Sequence, residues 1–183
     1  MARVLVPLAE GFEEVEAVTV IDLLRRAGIQ VVSAGLESGP VTASRGVVIV
    51  PDADLDTVMD DHFDMVVLPG GGPGADRLDR DPRIRALLQR MADAGKYTAA
   101  ICAAPKVLGH AGLLTGRAAT SFPGALDGVE VPGILYREDP VVVDGPVITS
   151  RGPGTAMDFT LTLIEHLAGA ERRRQVESGL QRP

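Results

Sequence analysis

The chain has one cysteine, Cys102, in the run Ala99-Ala100-Ile101-Cys102-Ala103-Ala104-Pro105. An apolar strand there runs into a thiol, and a proline suited to a first helical turn follows. A thiol at such a strand-to-helix elbow meets unpaired backbone N–H groups and the positive end of a helix. Both favour the thiolate, the nucleophilic and oxidation-sensitive form of sulfur. The local pattern alone is equally compatible with a buried structural cysteine.

A second group with chemical potential is the acidic trio Glu13, Glu14 and Glu16, at the start of the first helix and so at the same edge of a sheet as Cys102. A carboxyl aimed at a thiolate coexists with it only when protonated, because two unpaired negative charges repel. Such a carboxyl is a proton donor and shuttle. Acids in a first turn also complement the helix dipole, which is the ordinary explanation for Glu13 and Glu14. The loop Pro69-Gly70-Gly71-Gly72-Pro73-Gly74 lacks the Lys-Ser/Thr of a phosphate loop and does not complete a dinucleotide fingerprint. Its amides are candidates for steadying a thiolate or oxyanion. His62, His110 and His166 are far apart and show no metal-ligand spacing with Cys102, so neither a metal nor any cofactor is expected.

The elements that must hold these groups read as alternating β and α units. Val4–Leu8, Gln30–Ala34, Met65–Leu68 and Thr98–Ile101 are apolar throughout, as strands buried on both faces are. Between the first two, Ala17, Val20, Ile21 and Leu24 give residues 13–27 a helical stripe, with Gly28 as its stop. Helices are expected from Pro82 to about Ala94, from Pro105, and after Gly152-Pro153-Gly154; residues 69–74 are expected as a turn. Val47–Val50 reads as a further strand, and Val141–Val143 with Val147–Ile148 as a hairpin around Asp144-Gly145. Residues 169–183 read as a short fraying helix. The pattern implies a three-layer α/β/α sandwich on a mostly parallel sheet, forming a single domain over 1–183.

With 183 residues and a formal net charge of -7, the chain carries no basic footprint for nucleic acid. Arg172-Arg173-Arg174 reads as a solvated helix end. A lone cysteine, no signal-like apolar run at the start and no stretch of the roughly 18 apolar residues a spanning helix needs make cytoplasm the expected compartment and exclude a membrane role.

Four ordered motifs carry a resemblance: Gly11-Phe12-Glu13-Glu14-Val15-Glu16-Ala17, Leu68-Pro69-Gly70-Gly71, Ala100-Ile101-Cys102-Ala103-Ala104-Pro105 and Thr149-Ser150-Arg151-Gly152-Pro153-Gly154-Thr155. In these the chain resembles the ThiJ/PfpI superfamily over nearly its full length, in the branch of the Parkinsonism-associated deglycase and of bacterial YajL-like proteins. The resemblance implies a flavodoxin-like homodimer with a thiolate at Cys102, a partnering glutamate at Glu16, and amide donors to sulfur at Gly71 and Ala103. It places Arg45 and Arg151 near the pocket or the dimer interface. Two departures stand out. Protease-like and stress-chaperone branches have a histidine where Ala103 stands, which argues against peptide hydrolysis. The animal deglycase has a histidine before a proline near its pocket, where this chain reads Thr120-Ser121-Phe122-Pro123. Ala43 and Val50 stand where the animal protein carries further cysteines, so any sensing runs through Cys102 alone.

What the resemblance implies about activity is a cofactor-independent glyoxalase or deglycase acting on glyoxal, methylglyoxal or their amine and thiol adducts. The alternative is a redox sensor or oxidative-stress chaperone that works by oxidation of the same cysteine.

Overall fold

The structure is a computed structural model and describes residues 1–182. In chain order its elements are β1 (Arg3–Leu8), α1 (Glu14–Arg26), β2 (Gln30–Gly35), β3 (Val41–Thr42), β4 (Val48–Ile49), β5 (Ala53–Asp54), α2 (Leu55–Val58), β6 (Met65–Leu68), α3 (Gly72–Arg80), α4 (Pro82–Asp93), β7 (Tyr97–Ile101), α5 (Pro105–His110), β8 (Ala118–Ala119), β9 (Leu135–Tyr136), β10 (Val141–Asp144), β11 (Val147–Ser150) and α6 (Ala156–Gly179).

Seven strands form the central sheet in the order β10-β11-β7-β6-β1-β2-β5. Every neighbouring pair is parallel except the β10–β11 hairpin, where Asp144 faces Val147 across the turn. The strands are apolar throughout because both faces are covered. Val4, Val6, Leu8, Met65, Val67, Ala99 and Ile101 join one core with α1 and α6, through Val20, Leu24, Phe159 and Leu163. Leu5, Val66, Leu68 and Ala100 point the other way, into a core with Leu78 of α3, Leu87 of α4 and Leu108 of α5. Successive strand residues alternate between the two layers, as the pleat requires. The result is the three-layer α/β/α sandwich on a mostly parallel sheet that the alternating pattern implied, in the flavodoxin-like form that the resemblance implied. No helix among the described residues is long and apolar enough to cross a membrane.

Three local expectations change. The glycine cluster is not only a turn: α3 begins at Gly72, with Pro73 in its first turn. Two glycines and a proline hide this helix in the sequence, and its buried apolar residues are few, chiefly Ala75 and Leu78. The strand expected over Val47–Val50 shrinks to Val48–Ile49, which pairs antiparallel with Val41–Thr42 outside the main sheet. The tail does not fray within the described residues. The chain breaks direction at Gly169 (φ 87°, ψ 162°), and the helix resumes with Val176 buried in the α1/α6 core. Arg182 then reaches Asp158 at 2.7 Å, and Arg173 of the basic run pairs with Glu165 and Glu177.

Candidate functional site

Three adjacent strands end at one place. In the order β7-β6-β1, the carboxyl ends carry Cys102, Gly70-Gly71 and the segment leading to Glu16. The crevice beyond the strand ends of an open parallel sheet is where such folds present ligand-binding groups.

Cys102 follows β7 directly and has φ 65°, one of two positive values among the described non-glycine residues. A side chain held in this left-handed region carries strain of about 1–3 kcal/mol, so the surroundings must fix it there. They do so through the backbone on both sides. The Cys102 N–H donates to Ser150 C=O at 3.0 Å, and the Cys102 C=O accepts from Phe122 N–H at 2.8 Å. Pro105 then opens α5. That helix is only six residues long, so of the two influences expected at the elbow the backbone N–H donors matter more than the helix end. The Gly71 and Ala103 N–H groups are hydrogen-bonded to the sulfur and favour its charged form.

Glu16 lies in the first turn of α1 and is 0% exposed. Its Oε2 accepts from Gly70 N–H at 2.7 Å, and Oε1 has no conventional hydrogen-bond partner. The carboxyl's other polar neighbour is the Cys102 thiol. Burial raises the Glu16 carboxyl to about 7, against the opposing Gly70 and Cys102 hydrogen bonds, and the Glu13 charge adds to the rise. The Cys102 thiol is pushed up to about 12, by burial first and then by the Glu16 carboxylate, against the Gly71 and Ala103 amides. Beyond burial, part of the thiol's rise therefore comes from its neighbour's charge. With the proton on Glu16, that repulsion disappears while the two amide donors remain. Two acids this closely coupled lose their protons as a pair, and at intermediate pH they hold one proton between them.

Gly70 allows the pair to meet. A Cβ placed there would lie 2.6 Å from Cys102 Cβ, 2.7 Å from Glu16 Oε2 and 2.9 Å from Ile101 C=O. Gly71, at φ 85°, has Gly11 C=O 2.3 Å from its Cβ position, and a Cβ on Gly74 would meet Phe12 backbone atoms at 2.7 Å. The glycine loop is thus pressed against residues 11–13. This fixes where α1 begins: Glu13 N–H donates to Gly70 C=O at 2.9 Å, and the Glu13 carboxylate caps Val15 N–H at 3.4 Å.

The other two acids face away from sulfur. Ser44 Oγ lies 2.9 Å from both Glu13 Oε2 and Glu14 Oε2, and Glu14 Oε1 accepts from Arg45 N–H at 2.8 Å. Burial works against the Glu14 charge, but hydrogen bonds from its own N–H, from Ser44 and from the Arg45 and Val47 backbone hold it below the usual carboxylate range. Arg45 contributes to this clasp by its backbone, while its exposed guanidinium reaches only Ser44 C=O, at 3.5 Å. Arg151 donates to Glu138 C=O at 3.0 Å and lines a cavity of about 350 Å³ with Ser121, Tyr136 and Asp127. Cys102, Glu16, Gly71 and Ala103 therefore converge, whereas the side-chain hydrogen bonds of Arg45 and Arg151 go elsewhere. Gly70, Ser150, Ser44 and Phe122 were not singled out from the sequence. Gly70 had a signal there as the first glycine after a buried strand, and Ser150 and Phe122 only as members of the segments compared with the family. His110 pairs with Asp79 at 2.8 Å, and the His166 ring packs at a tilt against Tyr97, with centroids 5.6 Å apart. No cluster of metal-ligating side chains occurs among the described residues.

A flavodoxin-like sandwich with a strained cysteine at a strand-to-helix elbow, paired with a buried carboxyl, defines a class of cysteine-site α/β proteins. The chain belongs to the DJ-1/PfpI family, whose model matches residues 2–166. It is 46% identical to Protein dj-1beta of Drosophila melanogaster, covering 96% of this chain and 95% of that one. It is 39% identical to the glutathione-independent glyoxalase DJR-1.2 of Caenorhabditis elegans, covering 93% and 90%. The structure of oxidized Toxoplasma gondii DJ-1 superposes with a TM-score of 0.94 at 40% identity and covers 98% of both chains.

Gly70→Ala is expected to force Cys102 and Glu16 apart. Thermal unfolding should show a loss of about 1–3 kcal/mol, the range for overpacking a buried site, together with slower Cys102 alkylation. Unchanged stability and reactivity would mean the loop yields freely.

Proposed function

We propose that the chain is a cysteine-dependent, cofactor-independent glyoxalase/deglycase. The observation that carries this is the contact of a fully buried Glu16 carboxyl with the Cys102 thiol at a positive-φ elbow. A relative named as a glutathione-independent glyoxalase, at 39% identity, supports it.

For methylglyoxal, the Cys102 sulfur adds to the aldehyde carbon: the C–S bond forms, the carbonyl π pair moves to oxygen, and Glu16 gives that oxygen its proton. The product is a hemithioacetal. The Glu16 carboxylate then takes the hydrogen on the former aldehyde carbon as a proton, leaving an enediolate; the hydroxyl proton on that carbon passes to the neighbouring oxygen, and Glu16 returns its proton to the neighbouring carbon, which leaves a carbonyl on the sulfur-bearing carbon. A thioester of lactate results, and water cleaves it to lactate and free Cys102. The sum is methylglyoxal plus water giving lactate, with no external oxidant or reductant. The Gly71 and Ala103 amides stabilise negative charge on sulfur. For a glycated amine or thiol, the same thioester forms after the repaired group departs. This is lyase or hydrolase chemistry without peptide hydrolysis, since Ala103 offers no imidazole.

A redox role through the same residue is the second reading, and the unpartnered Glu16 Oε1 supports it. Successive two-electron oxidation of the thiolate by peroxide, releasing water each time, gives sulfenate and then sulfinate. A protonated Glu16 carboxyl could donate to an added oxygen. In this reading the chain is an oxidative-stress sensor or chaperone.

The chain acts as one domain in the cytoplasm and pairs with a second copy. The support for pairing is the exposure of several large apolar side chains: Val15 and Val18 on α1, and Val47, Val48 and Val50 in and just after the hairpin that Glu14 clasps, with Val50 75% exposed. Replacing Val48 and Val50 with Asp should yield a monomer by sedimentation velocity; an unchanged sedimentation coefficient would show that this face is not the interface.

Turnover decides between the readings. In buffer free of amines and thiols, wild type should convert many equivalents of methylglyoxal to lactate. Cys102→Ser should abolish this, and Glu16→Gln should lower kcat by roughly 10²–10⁴-fold, the range for a general acid/base. Folded, reduced wild type that makes no lactate would leave the redox reading.

A further inference from the structure

The Cys102 N–H donates to Ser150 C=O at 3.0 Å, one step past the pairing of Ile101 with Ser150 that ends the β7–β11 ladder. That carbonyl is the last grip of the sheet on the chain before the positive-φ residue. Ser150 is fully buried at the end of β11, and its hydroxyl is tied on two sides. Ser150 Oγ lies 2.7 Å from Pro140 C=O, beside the edge strand β10, and 2.7 Å from Thr155 Oγ1. Thr155 Oγ1 also receives Gly152 N–H at 3.1 Å. Thr155 stands at the N-cap of α6, yet its side chain caps no amide of that helix and turns back to residues 150–152 instead.

Only one ordering of protons serves every short contact. Gly152 N–H can only donate and Pro140 C=O can only accept, so each hydroxyl between them accepts one bond and donates the next. The string runs from Gly152 N–H to Thr155 Oγ1, from Thr155 O–H to Ser150 Oγ, and from Ser150 O–H to Pro140 C=O. If Thr155 turned its proton to Gly152 C=O, 3.0 Å away, Ser150 could serve only one of its two neighbours. The other oxygen would then lie 2.7 Å from Ser150 Oγ with no hydrogen between them. Gly152 C=O does not need that proton, since it accepts Thr155 N–H at 2.9 Å. The string thus joins β10, β11 and the start of α6 at the residue whose carbonyl holds Cys102.

We infer that Ser150 and Thr155 are positioning residues for Cys102: their linked hydroxyls fix the Ser150 carbonyl, and that carbonyl fixes the strained peptide that carries the sulfur. Both act through the backbone. A left-handed cysteine persists only where its surroundings over-determine it, so a loosened carbonyl lets Cys102 relax from φ 65°. The sulfur then leaves the Gly71 and Ala103 amides that favour its charge and the Glu16 carboxyl that faces it. The inference concerns the reactivity of the thiol and is shared by both proposed functions; only the turnover readout rests on the glyoxalase reading.

The test compares Thr155→Val, which keeps the shape and removes the hydroxyl, with Thr155→Ser, which keeps the hydroxyl, and with Ser150→Ala, which cuts the string from its other side. Thr160→Val is the control: that hydroxyl is fully buried on the same helix but donates to Ala156 C=O at 2.7 Å, apart from the string. The readout is the pH profile of Cys102 alkylation by iodoacetamide, followed by mass spectrometry, with thermal unfolding measured alongside. Thr155→Val and Ser150→Ala should each move the rising limb up by about one pH unit, which lowers the rate on that limb about tenfold. The double variant should be no slower than either, because both cut one string. Thr155→Ser and Thr160→Val should follow wild type. Wild-type profiles in Thr155→Val and Ser150→Ala, or an equal slowing in Thr160→Val, would overturn the positioning role and leave the hydroxyls as stabilising groups. If one of the two variants does not fold, the other decides. In methylglyoxal turnover the same two variants should lower kcat and keep KM. If no protein turns over, wild type included, while alkylation follows the expected pattern, the glyoxalase reading fails and the positioning stands. If wild type turns over and both variants keep its kcat, the positioning fails and the glyoxalase reading stands.

Discussion

Two acidic groups, the Glu16 carboxyl and the Cys102 thiol, are confined to a space from which water is largely excluded, and they cannot both be charged there without large repulsion. Each is raised above its ordinary value, the carboxyl to about 7 and the thiol to about 12, by burial first and by a neighbouring charge after it. One negative charge shared with one proton is the state that burial permits over a wide pH range. A pair in that state contains both a nucleophile and an acid. The proposed chemistry uses the two in turn, at sulfur and at the substrate oxygen, without a histidine.

Much of the surrounding structure maintains this confinement. Placing β7, β6 and β1 side by side brings the cysteine, the glycine loop and the glutamate helix together from distant parts of the chain. Gly70 leaves room for the two side chains to approach, since a Cβ there would strike both Cys102 Cβ and Glu16 Oε2. The strained Cys102 backbone is held by Ser150 on one side and Phe122 on the other. Glu13 and Glu14, though adjacent in sequence, spend their charges on Val15 N–H, Ser44 and the Arg45 backbone, which pins the β3–β4 hairpin to α1.

How much of this the sequence reveals depends on whether local pattern or long-range approach decides the matter. The strands are legible because parallel strands buried on both faces must be apolar at every position, and Val4–Leu8 or Met65–Leu68 satisfies that without ambiguity. The elbow is legible because Ile101-Cys102 and Pro105 mark a strand end and a helix start within a few residues. Helix α3 is hidden because Gly72, Pro73 and Gly74 have the composition of a turn, and the tail's docking is hidden because one buried contact, Val176, decides it. The protonation state was the furthest from view. A helix-end argument predicts a thiolate, but burial first and the neighbouring Glu16 carboxylate second push the thiol up instead. Gly70 and Phe122 act across gaps of tens of residues, which no spacing rule reports.

The most direct measurement is the pH dependence of Cys102 alkylation by iodoacetamide in the reduced wild-type protein, with unfolding followed in parallel to mark the usable pH range. Below the first ionisation both groups are protonated and the sulfur is a poor nucleophile. A shared proton predicts a rate that rises through the first ionisation of the pair, near the value of about 7 to which Glu16 is raised, and then levels off. A rate that stays low through that range and climbs only toward about 12 would place the whole charge on Glu16 and contradict the sharing.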